Sequence, residues 1–154
     1  MNYGFMKVAT GVPVAKVADC AFNVQQIETI IAQAEGKGTE IICFPELCIT
    51  GYTCQDLFSQ QLLLDEAETA LLKLLDFTRS LDIISIVGLP VPVGGLLLNC
   101  AAVIHKGSLL GLVAKTYLPN YKEFYEKRWF TSAKDISSVD VRIAGQTVHL
   151  SSGT

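Results

Sequence analysis

The most constraining feature of this sequence is a short apolar strand that runs straight into a proline. The run from Glu40 to Phe44 is almost continuously apolar, and it lies between Gly38 and Pro45. A run of this length between turn signals is typical of a strand that is covered on both faces. The pattern therefore predicts a sheet with other structural layers packed against it, which is the arrangement of an α/β domain.

Helical and strand patterns alternate along the first half of the chain. Phe5 to Val14 is β-rich, and Asp19 is a good N-cap for a helix whose apolar residues recur at helical spacing until Gly36. The helical period returns from Leu62 to Leu81. Together with the apolar strand, these patterns predict the order strand, helix, strand, helix.

The second half of the chain is predicted to be mostly strand. Lys106 and Gly107 form a tight turn between two strands, and Pro90 to Gly95 is expected to be a connecting segment. No period is visible from Lys115 to Asp135, and such a long irregular segment in a compact domain is usually functional. The predicted strands are Asp82 to Leu89, Asn99 to His105, Ser108 to Ala114, Val139 to Ile143 and Thr147 to Leu150. We expect one α/β domain, with helices on one sheet face and a second covering layer on the other.

Composition argues against several classes of function. The 154 residues are 50% hydrophobic and 18% charged, which suits the core of a single domain. A net charge of -3 gives no basic surface for nucleic acid. Because no apolar run is long enough to span a membrane, and the five cysteines are an odd set, we expect a cytoplasmic protein without membrane contact. Neither the cysteine spacing nor His105 and His149 suggests a metal site.

The first cluster of residues that a core does not need is CFPELCITGYTCQDLF, residues 43–58. It places Glu46 at the exit of the apolar strand, directly after Pro45. A carboxylate in such a position can be desolvated, and desolvation raises its pKa towards the range of a general base. The alternative is that Glu46 faces solvent or caps the following helix.

The second cluster is KTYLPNYKEFYEKRWF, residues 115–130, in which Lys115 ends a hairpin strand. Interleaved lysines and aromatics can bind nucleic acid, but the acidic balance of the chain argues against it. The aromatics could instead form a packed plug under a loop, and Lys127 and Arg128 are expected on a solvated or salt-bridged face. Acyl transfer needs a base and a fixed positive charge, which makes Glu46 and Lys115 a candidate pair.

A nucleophile for this pair is not evident from the residues. Cys48 and Cys54 lie near Glu46 in sequence, but no motif surrounds them. Neither histidine lies in a pattern that supports an imidazole-based triad. The remaining cysteines have apolar neighbours typical of inert core thiols: Cys20, Cys43 and Cys100.

The two clusters resemble the carbon–nitrogen hydrolase (nitrilase) superfamily, through FPEL, the following TGY, and Lys115 after a hairpin strand. Within it, GYTCQDLF and the segment 115–130 look like the glutaminase domain of glutamine-dependent NAD synthetases. The resemblance covers essentially the whole chain. It implies part of an α-β-β-α sandwich that uses a Glu, Lys, Cys triad.

The resemblance also implies roles for individual residues. Glu46 would be the general base, and Lys115 would stabilise the tetrahedral oxyanion. Glu123 would be an additional glutamate that positions the lysine and the substrate, and Tyr121 would lie in the glutamine pocket. The family's nucleophilic cysteine belongs to a C-E-D type sequence after a later strand, and this sequence contains none.

Residues 1–154 are therefore expected to be the N-terminal part of a glutaminase domain, truncated before its nucleophile and inactive alone. A strand ending at Leu150 is followed by a turn, Ser151 to Thr154, that leads to no further element. The implied partners are glutamine, a C-terminal synthetase domain and further copies in a homo-oligomer. In the family, the synthetase domain uses ATP and Mg to amidate nicotinic acid adenine dinucleotide to NAD, and the glutaminase domain holds no cofactor or metal.

Two other hypotheses stay open. The chain could belong to another amidase or carbamoylase of the same superfamily, which acts on a simple amide. It could also be a non-catalytic remnant that binds a partner or nothing.

Overall fold

The two helices of the computed structural model, which describes residues 4–151, begin where the sequence predicts but differ in their ends. Helix α1, Cys20–Glu35, starts after Asp19, whose side chain accepts a hydrogen bond from the Phe22 N–H. Helix α2, Gln61–Phe77, is shorter than predicted because Thr78 turns its hydroxyl back to the Leu74 carbonyl and the chain tightens into a 3-10 turn. Neither helix is long and apolar enough to cross a membrane within residues 4–151.

The strands of residues 4–151 form one seven-stranded mixed sheet. They are β1 Val8–Thr10, β2 Ile41–Cys43, β3 Ile84–Val93, β4 Leu96–His105, β5 Ser108–Ala114, β6 Val139–Ile143 and β7 Gln146–Ser151. Their order across the sheet is β1-β2-β3-β4-β5-β7-β6. Strands β1, β2 and β3 run parallel, while β4 is antiparallel to both β3 and β5, so β2 and β5 point the same way. The α/β class expected from the sequence is confirmed.

The segment from Pro90 to Gly95 corrects one prediction, because most of it is strand and not a connector. Strand β3 continues to Val93, and the hairpin turn to β4 lies at Gly94 and Gly95, which have φ of 57° and 84°. Pro90 and Pro92 are tolerated because β2 pairs with β3 only as far as Ile86. Beyond that residue, β3 has one described neighbour, β4, so the missing proline N–H groups remove no bond to β2.

The first strand is also shorter than predicted. Only Val8–Thr10 of the β-rich run from Phe5 to Val14 is strand, and it pairs with β2 alone. The predicted turn Ser151 to Thr154 lies largely outside the described residues, because the structure describes the chain only to Ser151, which is the last residue of β7.

The two faces of the sheet differ in burial. Ile42, Ser85 and Ile104 are in register on one face and are all buried. The buried side chains of α1 and α2 belong to the same apolar cluster as Ile42 and Ile104, so the helices cover this face. On the other face, the register partners Cys43, Ile86 and Val103 are exposed or half-buried. Residues 4–151 thus form one helical layer on one side of a sheet.

A close approach of backbone to backbone fixes the turn that follows β2. The Phe44 N–H donates to the Ile86 carbonyl, and the Ile49 N–H donates to the Gly88 carbonyl. The intervening residues lie directly over Gly88, where a Cβ atom would come 3.1 Å from the Pro45 carbonyl oxygen and even closer to the Leu47 nitrogen. Because only glycine leaves this space, β3 sets the position of Glu46.

We expect Gly88→Ala to lower the free energy of unfolding by about 1–3 kcal/mol, because the added methyl must push the turn off the strand. Urea denaturation measures this change. Gly111→Ala is the matched control, since its Cβ would meet nothing closer than the His149 carbonyl oxygen at 3.9 Å. Equal unfolding midpoints for the two variants would contradict the packing described here.

Candidate active site

The candidate site lies at the edge of the sheet where two strands that run in the same direction end. Glu46 follows β2 after Phe44 and Pro45, and Lys115 directly follows β5. Asn99 of β4 lies between them, and its carbonyl accepts a hydrogen bond from the Lys115 N–H. These three residues line a cavity of about 360 Å³. Side chains distant in sequence meet here because the strand ends share one edge.

The Lys115 ammonium group is held by two carboxylates. Its Nζ lies 2.7 Å from Glu46 Oε1 and 2.9 Å from each carboxylate oxygen of Glu126. Burial lowers the pKa of Lys115, but the hydrogen bonds to Glu46 and Glu126 outweigh that effect and hold the pKa above its ordinary value. Lys115 is therefore a fixed positive charge at neutral pH.

The two carboxylates differ in their exposure to solvent. The Glu46 side chain is 39% exposed, and its Oε1 also accepts a hydrogen bond from the Asn99 amide. Residues 4–151 therefore leave Glu46 partly solvated, which lies between the desolvated and the solvent-facing alternatives that the sequence left open. The Glu126 residue is only 2% exposed. One carboxylate is thus accessible for reaction, and the other is buried and structural in character.

Tyr52 is a second polar partner of Glu126. Its hydroxyl donates to Glu126 Oε1 over 2.7 Å. Burial and this hydrogen bond raise the pKa of Tyr52 well above its ordinary value, so the phenol stays protonated and remains a donor. Glu126 Oε2 has no well-aligned hydrogen bond within residues 4–151, although the Lys115 ammonium group lies close to it. That buried oxygen is held by its ion pair with Lys115, at 2.9 Å.

The second predicted acid, Glu123, is not the one that the structure places beside Lys115. Glu123 is exposed and lines a groove of about 400 Å³ with Tyr52, Phe124 and Arg128, and it is Glu126 that contacts Lys115. The glutamate that the structure brings to Lys115 is therefore Glu126, and the contact with the lysine expected of Glu123 is not seen among the described residues. The physical reason is that the Glu126 N–H donates to the Pro119 carbonyl, so the chain folds back and turns residue 126 inwards. An irregular segment has no period that would show this in the sequence.

Tyr121, the residue expected in a substrate pocket, lies on the surface. Its side chain is 64% exposed, and its ring packs against Phe124 with the ring centroids 5.9 Å apart. The described residues do not bring Tyr121 into contact with Glu46 or Lys115.

Four of the five cysteines are poor nucleophiles in this structure, and the fifth, Cys43, corrects a prediction. Burial raises the pKa of Cys20 and of Cys100 to about 12 and that of Cys48 to about 11, and it also raises the pKa of Cys54. Thiolate formation is disfavoured at all four. Cys43, which was predicted to be a core thiol, is exposed and lines the cavity beside Glu46. It is exposed because β2 turns it to the face that the helices do not cover.

Metal ligands do not cluster in this part of the protein. Within residues 4–151, no group of three or more histidine, cysteine, aspartate or glutamate side chains is arranged to hold an ion.

Comparison with known proteins defines the class. Residues 7–151 match the model of the carbon-nitrogen hydrolase family, and the chain belongs to that family. It is similar to the glutamine-dependent NAD(+) synthetase of Mycobacterium tuberculosis, with 36% identity over 147 residues, which cover 96% of this chain and 22% of that protein. The glutamine-dependent NAD(+) synthetase of Aquifex aeolicus is 38% identical over 125 residues, covering 81% and 22% of the two chains. The chain thus spans about a fifth of the length of these relatives.

Solved structures agree with this assignment. A glutamine-dependent NAD(+) synthetase from Cytophaga hutchinsonii has a TM-score of 0.88 and 29% identity, and the match covers 95% of this chain and 25% of that one. An amidase from Nesterenkonia sp. has a TM-score of 0.72 and 23% identity, and the match covers 95% and 54% of the two chains. The amidase shares the fold. The match of residues 7–151 to the family model confirms, at the level of the family, the resemblance inferred from FPEL, TGY and Lys115.

We expect Glu126→Gln to lower the pKa of Lys115, because the ammonium loses a charged hydrogen-bond partner. The measurement is a pH titration of the Lys115 side chain by NMR, with its resonance identified from its loss in Lys115→Arg. Glu123→Gln is the matched control and should leave the titration unchanged. A shift in the control, with none in Glu126→Gln, would reverse the assignment of the two glutamates.

Proposed function

We propose that this chain supplies the general base and the oxyanion-stabilising cation of a glutamine amidohydrolase, whose ammonia serves an ATP-dependent synthesis of NAD. The observation that carries the proposal is the Lys115 ammonium held between the accessible Glu46 and the buried Glu126. Membership of the carbon-nitrogen hydrolase family supports the bond type, and the names of the relatives support the substrate.

The geometry supports a base at Glu46. It is the more exposed of the two carboxylates on Lys115, and it has hydrogen-bond contact with an amide and an ammonium that keep it oriented. In the proposed step, Glu46 takes the proton from an attacking thiol as sulfur bonds to the side-chain amide carbon of glutamine. Glu46 then gives this proton to the leaving nitrogen, which departs as ammonia and leaves a thioester that water hydrolyses to glutamate.

The geometry also supports Lys115 as the group that stabilises the tetrahedral oxyanion. Its charge is fixed, and it lies at the cavity wall between Glu46 and Asn99. A preoriented cation gives more stabilisation to the negatively charged intermediate than to the neutral amide, which is the condition for catalysis.

The attacking thiol is proposed to come from outside these 154 residues. Burial raises the pKa of four of the five cysteines, and the fifth, Cys43, belongs to the strand before Glu46 and not to the motif that carries the nucleophile in the family. In this proposal, the site is completed by a later segment of a longer polypeptide.

The remaining partners follow from the same proposal. Glutamine hydrolysis by the triad needs no cofactor, whereas ATP and Mg would act at the synthetase part that receives the ammonia. The free cysteines among the described residues support a reducing, cytoplasmic location. Self-association is proposed through the half-exposed sheet face, which carries apolar residues such as Ile86, Val103 and Val113.

We expect the variant Glu46→Gln of the full polypeptide to release ammonia from glutamine about 100- to 10,000-fold more slowly, because the attacking thiol loses its base. The measurement follows the formation of glutamate and of NAD in the same reaction. NAD synthesis from added ammonia should be unchanged, which shows that the loss is confined to the amidohydrolase site.

Cys43→Ser is the matched control for that experiment, since it changes a thiol on the same cavity wall without touching the base. It should retain ammonia release. Full activity in Glu46→Gln would overturn the assignment of the base, and hydrolysis of simple amides in preference to glutamine would overturn the substrate.

A further inference from the structure

Asp56 receives three hydrogen bonds from a distant part of the chain. Its Oδ1 accepts from Arg128 Nε at 2.6 Å and from Trp129 Nε1 at 2.9 Å, and its Oδ2 accepts from Arg128 Nη2 at 2.9 Å. The hydrogen bonds from Arg128 and Trp129 hold the pKa of Asp56 at about 2, so it is ionised at neutral pH. These three donors make the contact directional, although the Arg128 and Asp56 side chains are 63% and 66% exposed and solvent weakens the ion pair. We call these three residues the Asp56 clamp.

The Asp56 clamp joins the two segments that hold the buried carboxylate. On one side, Asp56 lies in the 3-10 turn Gln55–Ser59, which follows Tyr52 within a few residues. On the other side, Arg128 ends the 3-10 turn Glu126–Arg128, which begins with Glu126 itself. The ion pair and the hydrogen bond from Tyr52 to Glu126 therefore connect the same two segments.

Apolar packing underlies the same junction. The Phe58 ring packs against Trp129 and Phe130, with ring centroids 6.0 Å and 4.9 Å away. The Trp129 and Phe130 N–H groups both donate to the Glu126 carbonyl. Movement of Trp129 would thus be transmitted to the backbone of Glu126.

Glu126 needs this support because its local structure is weak. A 3-10 turn of three residues has poorer hydrogen bonds than an α-helix, and it stands in an irregular stretch between β5 and β6. A buried carboxylate is tolerated only where its charged partner is held in good geometry. A displacement of about 1 Å in a catalytic group can cost about 100-fold in rate.

We propose that Asp56 is a positioning residue of the amidohydrolase site, which holds Glu126 against the Lys115 ammonium through Arg128 and Trp129. The inference rests on the proposed function for its kinetic consequence, but its structural consequence at Lys115 is independent of any substrate. Among the contacts of residues 4–151, Asp56 binds Arg128 and Trp129 and not Lys115 or Glu46, so it acts through the segment that carries Glu126.

The test compares Asp56→Asn with Asp76→Asn in the full polypeptide. Asp76 is the matched control because it also pairs with an arginine, Arg79, at 2.8 Å on the exposed side of α2. We expect Asp56→Asn to lower kcat for ammonia release by about 10- to 100-fold with a smaller change in KM, because the Glu126 carboxylate moves relative to the Lys115 ammonium group. Asp76→Asn should match the parent protein.

Two readouts separate positioning from simple stabilisation. The NMR titration of Lys115 should move in the same direction in Asp56→Asn as in Glu126→Gln, in a fully folded sample. The double variant with Glu126→Gln should be no slower than Glu126→Gln alone, because both changes act through one group. Arg128→Lys serves as the second variant, since lysine keeps the charge but not the two-pronged bond.

The outcomes distinguish the two proposals. If Lys115 shifts in Asp56→Asn but glutamine is not a substrate, the positioning role stands and the proposed function fails. An unshifted Lys115 titration in both Asp56→Asn and Arg128→Lys would overturn the positioning role. A loss of folded protein, with unchanged kcat per folded molecule, would also overturn it and leave Asp56 as a structural ion pair.

Discussion

The burial of Glu126 against the Lys115 ammonium is the constraint on which the site depends. A carboxylate that is 2% exposed is unfavourable unless charge and hydrogen bonds compensate it, and Lys115 and Tyr52 provide both. Meeting that requirement brings together the end of β5, the loop after β2 and the irregular segment before β6. The buried Glu126 carboxylate, the group whose burial costs most free energy, is therefore the point at which three separate segments pack together.

The sheet provides the frame for this arrangement. Because β2 and β5 run in the same direction, their carboxyl ends lie at one edge of the sheet, and the Glu46 and Lys115 side chains meet there across β3 and β4. Gly88 lets the turn that carries Glu46 lie directly on β3, which removes the freedom that a loop residue would otherwise have. Rigid strands thus position groups that lie in loops, an arrangement that favours precise chemistry.

Glu46 and Glu126, the two carboxylates that contact Lys115, differ in their exposure to solvent. Glu46 retains solvent contact, whereas Glu126 is enclosed and holds the ammonium group in place. The positive charge is therefore held in place by protein groups alone, as electrostatic preorganisation requires. The chain belongs to the carbon-nitrogen hydrolase family, and such a preorganised site is consistent with that membership.

The sequence by itself determined the features that rest on local interactions. The N-cap at Asp19, the helical periods, the hairpin at Lys106, and the motifs that carry Glu46 and Lys115 could all be predicted, because period, turn chemistry and strand ends are readable from neighbouring residues. Only the tertiary structure decided that Glu126 and not Glu123 contacts the lysine, that Pro90 lies within a strand, and that Asp56 joins Arg128. Those outcomes depend on contacts between segments far apart in the chain, and irregular segments have no local pattern that encodes them.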